Sequence, residues 1–352
     1  MVLYRKYRPQ KISELDSLEV KERLAKILSS SYLPHAFLFA GPKGTGKTSA
    51  ARIVAKALNC EKIIEKKQKI HKDFEPCNLC ATCIAVSEGR HLDVIEIDAA
   101  SNRGIEEIRD LRDKIKLAPS SAKVKIYIID EVHMLTNEAF NALLKTLEEP
   151  PSHAVFILAT TEMEKLPETI VSRCSFIRFN KATVSEIISC LKRVVAGEKI
   201  AIDEDYLQLI AESSDGSFRD ATKILEQVVS ENIKDKDGLL RILGRDTDRA
   251  KKFLQVLAKK EIKLILSEIE NFVKEGVNVR FLVADMLEYL HKMLVANYGL
   301  STISKEEAAM FDKKELLVLI KLFSRVFAEL KNNNMPYLPL EVAVVEWCEK
   351  PA

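Results

Sequence analysis

A glycine cluster places the strongest constraint on how this chain can fold. Glycine is scarce, with 11 residues in a chain of 352, yet three of them fall in one short segment. That segment reads Gly41-Pro42-Lys43-Gly44-Thr45-Gly46-Lys47-Thr48 and matches the pattern G-x-x-x-x-G-K-[ST]. An apolar run ends at Ala40, and a helix-forming segment follows from Ser49 to Leu58. The order strand, loop, helix predicts a phosphate-binding loop rather than a simple glycine-rich turn.

Each position of this loop has a chemical task. Glycines allow backbone N–H groups to point inward at phosphate oxygens, at the positive end of the following helix. The ammonium of Lys47 would reach the β- and γ-phosphates, and the hydroxyl of Thr48 would bind Mg²⁺. We therefore predict a site for a nucleoside triphosphate and Mg²⁺, formed by residues 41–48 and the adjoining Ser49.

A second motif supplies the acidic groups that a nucleotide-bound metal needs. The apolar, β-branched run at 124–129 leads directly into Asp130 and Glu131. Asp130 would hold the metal, and Glu131 would polarise the attacking water. Taken alone, such a pair could also be a solvated loop, but the intact phosphate loop upstream favours the catalytic interpretation. The letters Asp-Glu-x-His also occur in one helicase superfamily, although the later arginine-rich helicase motifs are not found in this sequence.

Alternating strand and helix patterns surround these two motifs. The predicted elements are strands at 93–97 and 154–159 and helices at 105–117 and 138–147. This alternation predicts a doubly wound parallel sheet, which is an α/β architecture. Thr160 and Thr161 follow the last of these strands. Their hydroxyls could bond the attacking water or the γ-phosphate, or they could simply cap the strand.

The composition excludes several broad classes of protein. Hydrophobic residues make up 47% and charged residues 30%, which is typical of a folded globular chain rather than a disordered one. The formal net charge is only +2, so any contact with DNA must come from local patches. No apolar run is long enough to span a membrane, and the N-terminus lacks the apolar core of a secretory signal. We expect a cytoplasmic protein with no membrane partner.

The second half of the chain has a predominantly helical pattern. Three amphipathic helices that read as a compact lid are predicted at 184–196, 204–213 and 218–230. From about residue 247 onward every periodic segment is helical, which favours an assembly module without chemistry of its own. The predicted domains are a nucleotide-binding domain at 1–179, a helical lid at 180–243 and an all-α oligomerisation domain at 244–352.

The chain contains seven cysteines, and three of them lie close together in the sequence. Cys77, Cys80 and Cys83 follow one another at x₂ spacing, and Cys60 lies upstream. Four thiolates are enough to close a tetrahedral structural Zn²⁺ site, which leaves no position for a substrate. Iron–sulfur binding is the alternative, but ferredoxin-type runs add a further cysteine followed by proline, which this sequence lacks. The sequence therefore predicts a zinc knot inserted at 60–83, in a reducing compartment.

An ordered series of further motifs connects these features to a known family. The series is Tyr7-Arg8-Pro9, the phosphate loop, the cysteine knot, Asp130-Glu131-Val132-His133-Met134-Leu135, Thr160-Thr161, Ser172-Arg173-Cys174 and Gly216-Ser217-Phe218-Arg219-Asp220. It resembles the AAA+ ATPases of the clamp-loader group and, more closely, the bacterial DNA polymerase III gamma/tau family. The resemblance covers nearly all of the chain and is most specific over 1–225. One departure is the long segment between Cys60 and Cys77, which bears on whether Cys60 joins the zinc site.

The resemblance implies roles for residues that chemistry alone leaves open. Thr161 matches the first sensor, with Thr160 as the less favoured neighbour. Arg173 matches the arginine finger, which is donated to the ATP of the adjacent subunit and stabilises charge on the γ-phosphoryl oxygens. Arg219 matches the second sensor, in the first turn of a helix that Ser217 would open as part of a capping box.

The resemblance also implies an activity and partners. Tyr7, Arg8 and Pro9 match positions near the adenine of ATP, although a flexible basic arm is the alternative. The C-terminal helices match a collar that joins five clamp-loader subunits into a hetero-oligomer. We expect an ATP-hydrolysing motor that opens a sliding clamp and loads it on primer–template DNA, within a DNA-directed DNA polymerase complex but not as its polymerising subunit. Because longer family products continue beyond the collar, we expect a short or truncated form.

Two other functions stay open at this point. A non-hydrolysing, stator-like scaffold shares the Ser-Arg-Cys triplet and the zinc knot. Lys47, Thr48 and Glu131 argue against it, because a scaffold needs no intact catalytic set. A hexameric DNA-remodelling motor conflicts with the zinc knot and the helical collar. The native mass of the assembly would distinguish a six-fold ring from a mixed pentamer.

Overall fold

The chain divides into two compact units, Met1–Ser230 and Glu231–Ala352. The computed structural model describes residues 2–30, 32–66, 74–101, 115–233, 235–243, 247–298, 307, 309–330, 335 and 337–349. Most of the helix predicted at 105–117 lies outside these described residues. The first unit contains the predicted nucleotide-binding domain and the three predicted lid helices. The boundary between that domain and the lid stays a prediction.

A five-stranded parallel sheet forms the centre of the first unit. Its strands are β1 (Ala36–Ala40), β2 (Val94–Asp98), β3 (Lys125–Asp130), β4 (Ala154–Thr160) and β5 (Ser175–Arg178). Their order across the sheet is β2-β3-β4-β1-β5. The predicted doubly wound α/β fold is confirmed. Because the strands are parallel, the loops that follow β1, β3 and β4 meet at one edge of the sheet.

Helices cover both faces of this sheet and continue into the lid. The α-helices described in the first unit are α1 (Leu3–Lys6), α2 (Leu18–Leu28), α3 (Lys47–Asn59), α4 (Glu61–Lys66), α5 (Ala81–Ser87), α6 (Asn137–Glu148), α7 (Glu168–Val171), α8 (Val184–Glu198), α9 (Glu204–Ser213) and α10 (Phe218–Ser230). The helices predicted after the phosphate loop, after Asp130-Glu131 and in the lid are all present. At α6, Thr136 is the capping residue, and its hydroxyl accepts a hydrogen bond from the backbone N–H of Ala139.

Alternate residues of the central strands contribute to two separate hydrophobic cores. Phe37 and Phe39 of β1 pack into one core together with Ile53 of α3. Leu38, which lies between them, packs into the other core together with Phe140 of α6. This division follows from the strand geometry, because successive side chains point to opposite faces of a sheet. All residues of β1 and β4 are buried, which explains why both strands are continuous apolar runs.

Every regular element described in the second unit is a helix. Its helices are α11 (Lys236–Ile242), α12 (Thr247–Ala258), α13 (Ile262–Lys274), α14 (Val279–Ala296), α15 (Lys313–Glu329) and α16 (Leu338–Glu349). The last five of these helices, α12 to α16, enclose one hydrophobic core, in which Trp347 packs edge-on against Phe311 with ring centres 6.1 Å apart. The predicted all-α C-terminal region is confirmed. Among the described residues of both units, no helix has the length and hydropathy needed to cross a membrane.

Candidate functional site

The phosphate loop joins the end of β1 to the start of α3. Gly46 adopts a left-handed backbone conformation, with φ 100°, directly before α3 begins at Lys47. The Lys47 ammonium donates hydrogen bonds to the carbonyl oxygens of Gly41 at 2.7 Å and Pro42 at 2.9 Å. Burial lowers the pKa of Lys47, and nearby carboxylates oppose that shift. The loop therefore holds a buried ammonium through neutral carbonyls, which phosphate oxygens would replace as stronger acceptors.

Thr48 and Asp130 meet at the carboxyl ends of β1 and β3. The Thr48 hydroxyl donates a hydrogen bond to Asp130 Oδ2 at 2.7 Å. The other carboxylate oxygen of Asp130 accepts a hydrogen bond from the backbone N–H of Glu131 at 3.1 Å. A hydroxyl and a carboxylate in contact are oxygen donors of the kind that Mg²⁺ prefers. The pair therefore fits the predicted metal role of both residues.

Glu131 is held by the segment that follows β4. The hydroxyl and the backbone N–H of Thr161 donate hydrogen bonds to Glu131 Oε2 at 2.9 and 3.1 Å. Glu131 has a left-handed backbone, with φ 48°, which few non-glycine residues adopt. Thr160 is fully buried, and its hydroxyl faces His133 instead. The contacts therefore favour Thr161 over Thr160 as the threonine that acts together with Glu131.

His133 closes a ring of hydrogen bonds beside Glu131, and sequence reasoning missed this role. His133 Nδ1 lies 3.0 Å from Thr160 Oγ1, and Nε2 lies 3.1 Å from Glu162 Oε1. The backbone N–H of Glu162 donates back to Thr160 Oγ1 at 3.0 Å. With the proton on Nε2, each of these groups has a partner, so the ring fixes the segment that carries Thr161. The only signal in the sequence is a histidine two residues after Glu131.

The N-terminal segment and the lid line the same pocket as the phosphate loop. Tyr7, Arg8 and Pro9 line it, and so does Arg219 from the first turn of α10. The guanidinium carbon of Arg219 lies 4.9 Å from the centre of the Tyr4 ring, which is a cation–π contact. The other predicted residues in the lining are Lys43, Gly44, Thr45, Gly46, Lys47, Thr48, Ser49, Asp130 and Glu131. The N-terminal segment is thus docked against the pocket and is not a free arm.

Gly44 is the point at which the phosphate loop touches the lid. Its φ is 80°, and a Cβ atom at this position would lie 2.0 Å from Ser217 Oγ. The Ser217 hydroxyl accepts a hydrogen bond from the backbone N–H of Asp220 at 3.1 Å, which forms half of the predicted capping box. Since only glycine leaves room for this contact, the loop and the start of α10 lie directly against each other.

An ion pair between Asp16 and Arg193 forms a second link between the N-terminal segment and the lid. The two terminal nitrogens of Arg193 lie 2.8 and 3.0 Å from the two carboxylate oxygens of Asp16. The Asp16 side chain is only 7% exposed, so the pair is better shielded than an ordinary surface pair. Both residues line the pocket. No motif marks either of them, because they lie far apart in the sequence.

The four cysteines of the predicted zinc knot come together at the C-terminal end of α3. Their Sγ atoms all lie within 4.8 Å of one another, and those of Cys77 and Cys83 are 4.0 Å apart. Sulfur ligands about 2.3 Å from a tetrahedral zinc ion are about 3.8 Å apart, so the cluster fits this ion. Cys60 belongs to the cluster despite the long segment that separates it from Cys77. Burial opposes ionisation of Cys77, but the backbone N–H groups of Leu79 and Cys80 outweigh it and lower the pKa to about 7.

Two family models match the first unit. The model described as "DNA polymerase III, delta subunit" matches residues 17–183. The model described as "DNA polymerase III clamp loader subunit, ATPase lid domain" matches residues 186–231. The second match covers nearly all of α8 and the whole of α9 and α10. These three helices are therefore an ATPase lid.

Curated relatives extend the similarity over nearly the whole chain. DNA polymerase III subunit tau of Bacillus subtilis is 40% identical, over 99% of this chain and 63% of its own length. DNA polymerase III subunit gamma of Buchnera aphidicola subsp. Baizongia pistaciae is 34% identical, over 98% of this chain and 90% of its own length. The chain belongs to the DNA polymerase III gamma/tau family.

Within the gamma/tau family, the tau relatives are longer than this chain. The chain spans 63% of the Bacillus subtilis protein and 48% of the Salmonella typhimurium tau subunit, to which it is 38% identical over 88% of its own residues. Among solved structures, the Thermotoga maritima RuvB Holliday junction branch migration motor aligns with a TM-score of 0.48 and 20% identity, over 71% of this chain and 79% of that chain.

In this gamma/tau chain, Arg173 lies outside the pocket of its own subunit. One terminal nitrogen of Arg173 lies 2.7 Å from Glu148 Oε1, and the other donates to the carbonyl oxygen of Thr169 at 2.8 Å. The Arg173 side chain is 34% exposed. The arginine is therefore held at the surface, next to the end of α7. A residue that acts on a neighbouring subunit needs a position of this kind.

Proposed function

We propose that the chain is the ATP-hydrolysing motor subunit of a bacterial sliding-clamp loader. The observation that carries the proposal is a complete hydrolytic set at one edge of the sheet. This set consists of Lys47 in the loop, the Thr48–Asp130 pair, and Glu131 held by Thr161. A subunit that served only as a scaffold would have no use for these contacts. Membership of the gamma/tau family and the match to a clamp-loader lid support the same interpretation.

The residues of the set divide the work of phosphoryl transfer among them. Lys47 binds the β- and γ-phosphate oxygens in place of the carbonyls that it contacts now. Thr48 and Asp130 would hold Mg²⁺, which when bound would neutralise charge on the phosphates. Glu131 orients the attacking water and accepts its proton, and Thr161 keeps the Glu131 carboxylate in position. These residues thus lower the activation barrier of phosphoryl transfer by positioning the reactants and by electrostatic stabilisation, rather than by forming a covalent intermediate.

Arg219 and the N-terminal residues 7–9 bind the nucleotide from the side of the pocket opposite the phosphate loop. Arg219 reaches the phosphates from the lid, and Tyr7, Arg8 and Pro9 surround the base. Because Gly44 touches Ser217, the position of the loop and the position of the lid depend on each other. Binding of ATP therefore changes the orientation of the lid, which is the movement that a loading machine needs.

Arg173 completes the site of the adjacent subunit in this proposal. Its position at the surface, outside the pocket of its own chain, supports this role. To reach a neighbour, the guanidinium exchanges its ion pair with Glu148 for a γ-phosphate. A half-exposed ion pair is worth only about 0–1 kcal/mol, so this exchange costs little. Hydrolysis then depends on assembly, because the charge on the transferring phosphoryl group is stabilised only between subunits.

The second unit serves as the collar of a five-subunit hetero-oligomer. Binding of ATP closes the first units into a spiral that holds an opened sliding clamp and grips primer–template DNA. Hydrolysis releases the clamp around the duplex. The free energy of ATP hydrolysis therefore drives a conformational cycle rather than the synthesis of a product. The described helices of the second unit carry no catalytic motif, and α12 to α16 share one core, which supports an assembly role for this unit.

Cys60, Cys77, Cys80 and Cys83 hold a structural Zn²⁺ ion in this proposal. The donor set supports zinc, because four sulfur atoms at this spacing match a closed tetrahedral site. Bound zinc supplies a fixed crosslink between the end of α3 and the inserted segment. Zinc content measured on the purified protein tests this part of the proposal, and finding iron instead would contradict it.

Turnover of ATP by the reconstituted complex tests the proposed function. ATP hydrolysis is measured with and without a sliding clamp and primed DNA, for the wild type and for Lys47→Ala. We expect stimulation by clamp and DNA in the wild type and loss of turnover in Lys47→Ala. Lys26→Ala, at an exposed position in α2, is the matched control and should behave as the wild type. Full stimulated turnover in Lys47→Ala would contradict the assignment of the site.

A further inference from the structure

A buried lysine lies beside the cysteine cluster, and the proposed chemistry does not use it. Lys56 of α3 is 1% exposed. Its ammonium donates hydrogen bonds to the carbonyl oxygen of Gln10 at 2.9 Å, to Gln10 Oε1 at 2.6 Å and to Asn78 Oδ1 at 2.8 Å. These acceptors are all uncharged. A buried ammonium with neutral partners is costly unless negative charge lies near it.

The cysteine cluster supplies that negative charge when it holds a metal. Burial lowers the pKa of Lys56, while Cys83, Glu14 and Cys77 oppose that shift when they are ionised. Four thiolates around a divalent ion carry a net charge of about −2, since each thiolate contributes one negative charge. The metal-bound cluster is therefore a counter-charge for Lys56 that a cluster of neutral thiols would not provide.

The inserted segment also holds the N-terminal segment through a second contact. The Glu75 carboxylate accepts hydrogen bonds from the backbone N–H groups of Ile12 at 2.9 Å and Ser13 at 2.7 Å. Lys56 holds Gln10 two residues earlier, through both its backbone and its side chain. Residues 10–13 are thus attached to the zinc knot and to the end of α3 by charge-assisted hydrogen bonds.

Residues 10–13 are flanked on both sides by residues that line the nucleotide pocket. Arg8 and Pro9 precede them and line the pocket, and Leu15, Asp16 and Ser17 follow them and line the same pocket. No described residue of the zinc knot lines that pocket. Residues 10–13 therefore connect the knot to the wall of the nucleotide pocket.

We propose that the zinc knot anchors the wall of the nucleotide pocket that residues 8–17 form, with Lys56 as the positioning residue between the knot and Gln10. The inference rests on the proposed zinc and nucleotide sites. Asn78, which lies between the ligands Cys77 and Cys80, accepts a hydrogen bond from Lys56. Loss of the metal releases this part of the knot, which weakens the hold of Lys56 on Gln10 and loosens the wall. The knot is then a determinant of nucleotide affinity although none of its described residues lines the nucleotide pocket.

The test compares Gln10→Ala and Lys56→Met with the wild type. Gln10 lies outside the lining of the nucleotide pocket. Gln10→Ala removes one acceptor of Lys56, together with the hydrogen bond that Gln10 Nε2 donates to the carbonyl oxygen of Arg8, and leaves the cysteines intact. A fluorescent ATP analogue gives the Kd, metal analysis gives the zinc content, and hydrogen exchange reports on residues 8–17. We expect the Kd to rise at least about tenfold in each variant, as for loss of one hydrogen bond to a charged group. Exchange should become faster, and zinc content should stay at the wild-type level.

Lys26→Met is the matched control, because it removes a lysine that is exposed on α2. It should leave the Kd and the exchange of residues 8–17 unchanged. If Lys56→Met does not fold, Gln10→Ala decides the question alone. A wild-type Kd and wild-type exchange in a zinc-loaded Gln10→Ala protein would overturn the inference and leave the proposed sites standing. A wild type that lacks zinc or does not bind the analogue would instead overturn the proposed sites, and the inference with them.

Discussion

Replacing Gly44 with alanine tests the contact between the phosphate loop and the lid. At φ 80°, any residue with a Cβ atom is strained, and for alanine this costs about 1–2 kcal/mol. The new Cβ atom would also lie 2.0 Å from Ser217 Oγ, well inside contact distance. Shifting the start of α10 to relieve this overlap costs about 1–3 kcal/mol more, as for other overpacked positions. We therefore expect a loss of about 2–5 kcal/mol in the free energy of unfolding.

Gly89→Ala is the matched control for this substitution. Gly89 has a similar φ of 70°, but no heavy atom of the described residues lies within 4 Å of an added Cβ atom. This variant should lose only the backbone cost of about 1–2 kcal/mol and should bind nucleotide normally. Gly44→Ala should in addition bind a fluorescent ATP analogue at least about tenfold more weakly, because the loop and the lid can no longer close together. Equal losses of stability in the two variants, with wild-type affinity in both, would refute the reasoning.

Two further predictions concern Asp93 and Thr161. Burial opposes ionisation of Asp93, but backbone N–H groups at 120–122 outweigh it and lower the pKa from 3.8 to about 2. Since the folded-state pKa is the lower one, this stabilisation is complete above about pH 4 and is lost as the pH falls toward 2. Asp93→Asn should therefore lower the free energy of unfolding, measured by denaturant titration, by about 2 kcal/mol at pH 7 and by little at pH 2. An equal loss at both pH values would contradict the lowered pKa of Asp93. Thr161→Val should lower ATP turnover by about 100-fold with an unchanged nucleotide Kd, whereas an equal loss of both would mean that Thr161 supports only the fold.

The meeting of the candidate-site residues at one edge of the sheet could be predicted from the sequence, because the parts of the candidate site are local. Gly41 to Thr48 form one continuous loop, and Asp130 and Glu131 directly follow a buried apolar strand. In a parallel sheet, the carboxyl ends of the strands meet at one edge, so the sheet pattern alone predicts that these residues come together. Element ends differ by only a few residues from prediction, as in α8, which continues two residues beyond Ala196 to Glu198.

The contacts that support the site could not be predicted, because they join residues that are distant in the sequence. Asp16 pairs with Arg193, and Lys56 holds Gln10. A lone lysine in an amphipathic helix is normally a solvated residue, so the burial of Lys56 depends on the packing of α3 against the inserted segment. Such pairs depend on the fold as a whole, and no local pattern marks them.

The surface contacts of Arg173 could not be predicted from the sequence either. The Ser-Arg-Cys triplet gives the position of the arginine but does not indicate what the guanidinium contacts in the isolated chain. The ion pair with Glu148 shows that the side chain has a resting position on its own subunit. The proposed role in the neighbouring site therefore requires an exchange of partners when the subunits assemble.

The most direct test of the central claim measures nucleotide binding and ATP turnover on one reconstituted complex that carries Arg173→Ala. We predict a nucleotide Kd within about twofold of the wild type and turnover lower by about 10³-fold, as expected for an arginine finger. Glu148→Gln is the control, since it removes the resting ion pair and keeps the guanidinium, and it should retain turnover. Wild-type turnover in Arg173→Ala, or a loss of nucleotide binding that parallels the loss of turnover, would contradict the account.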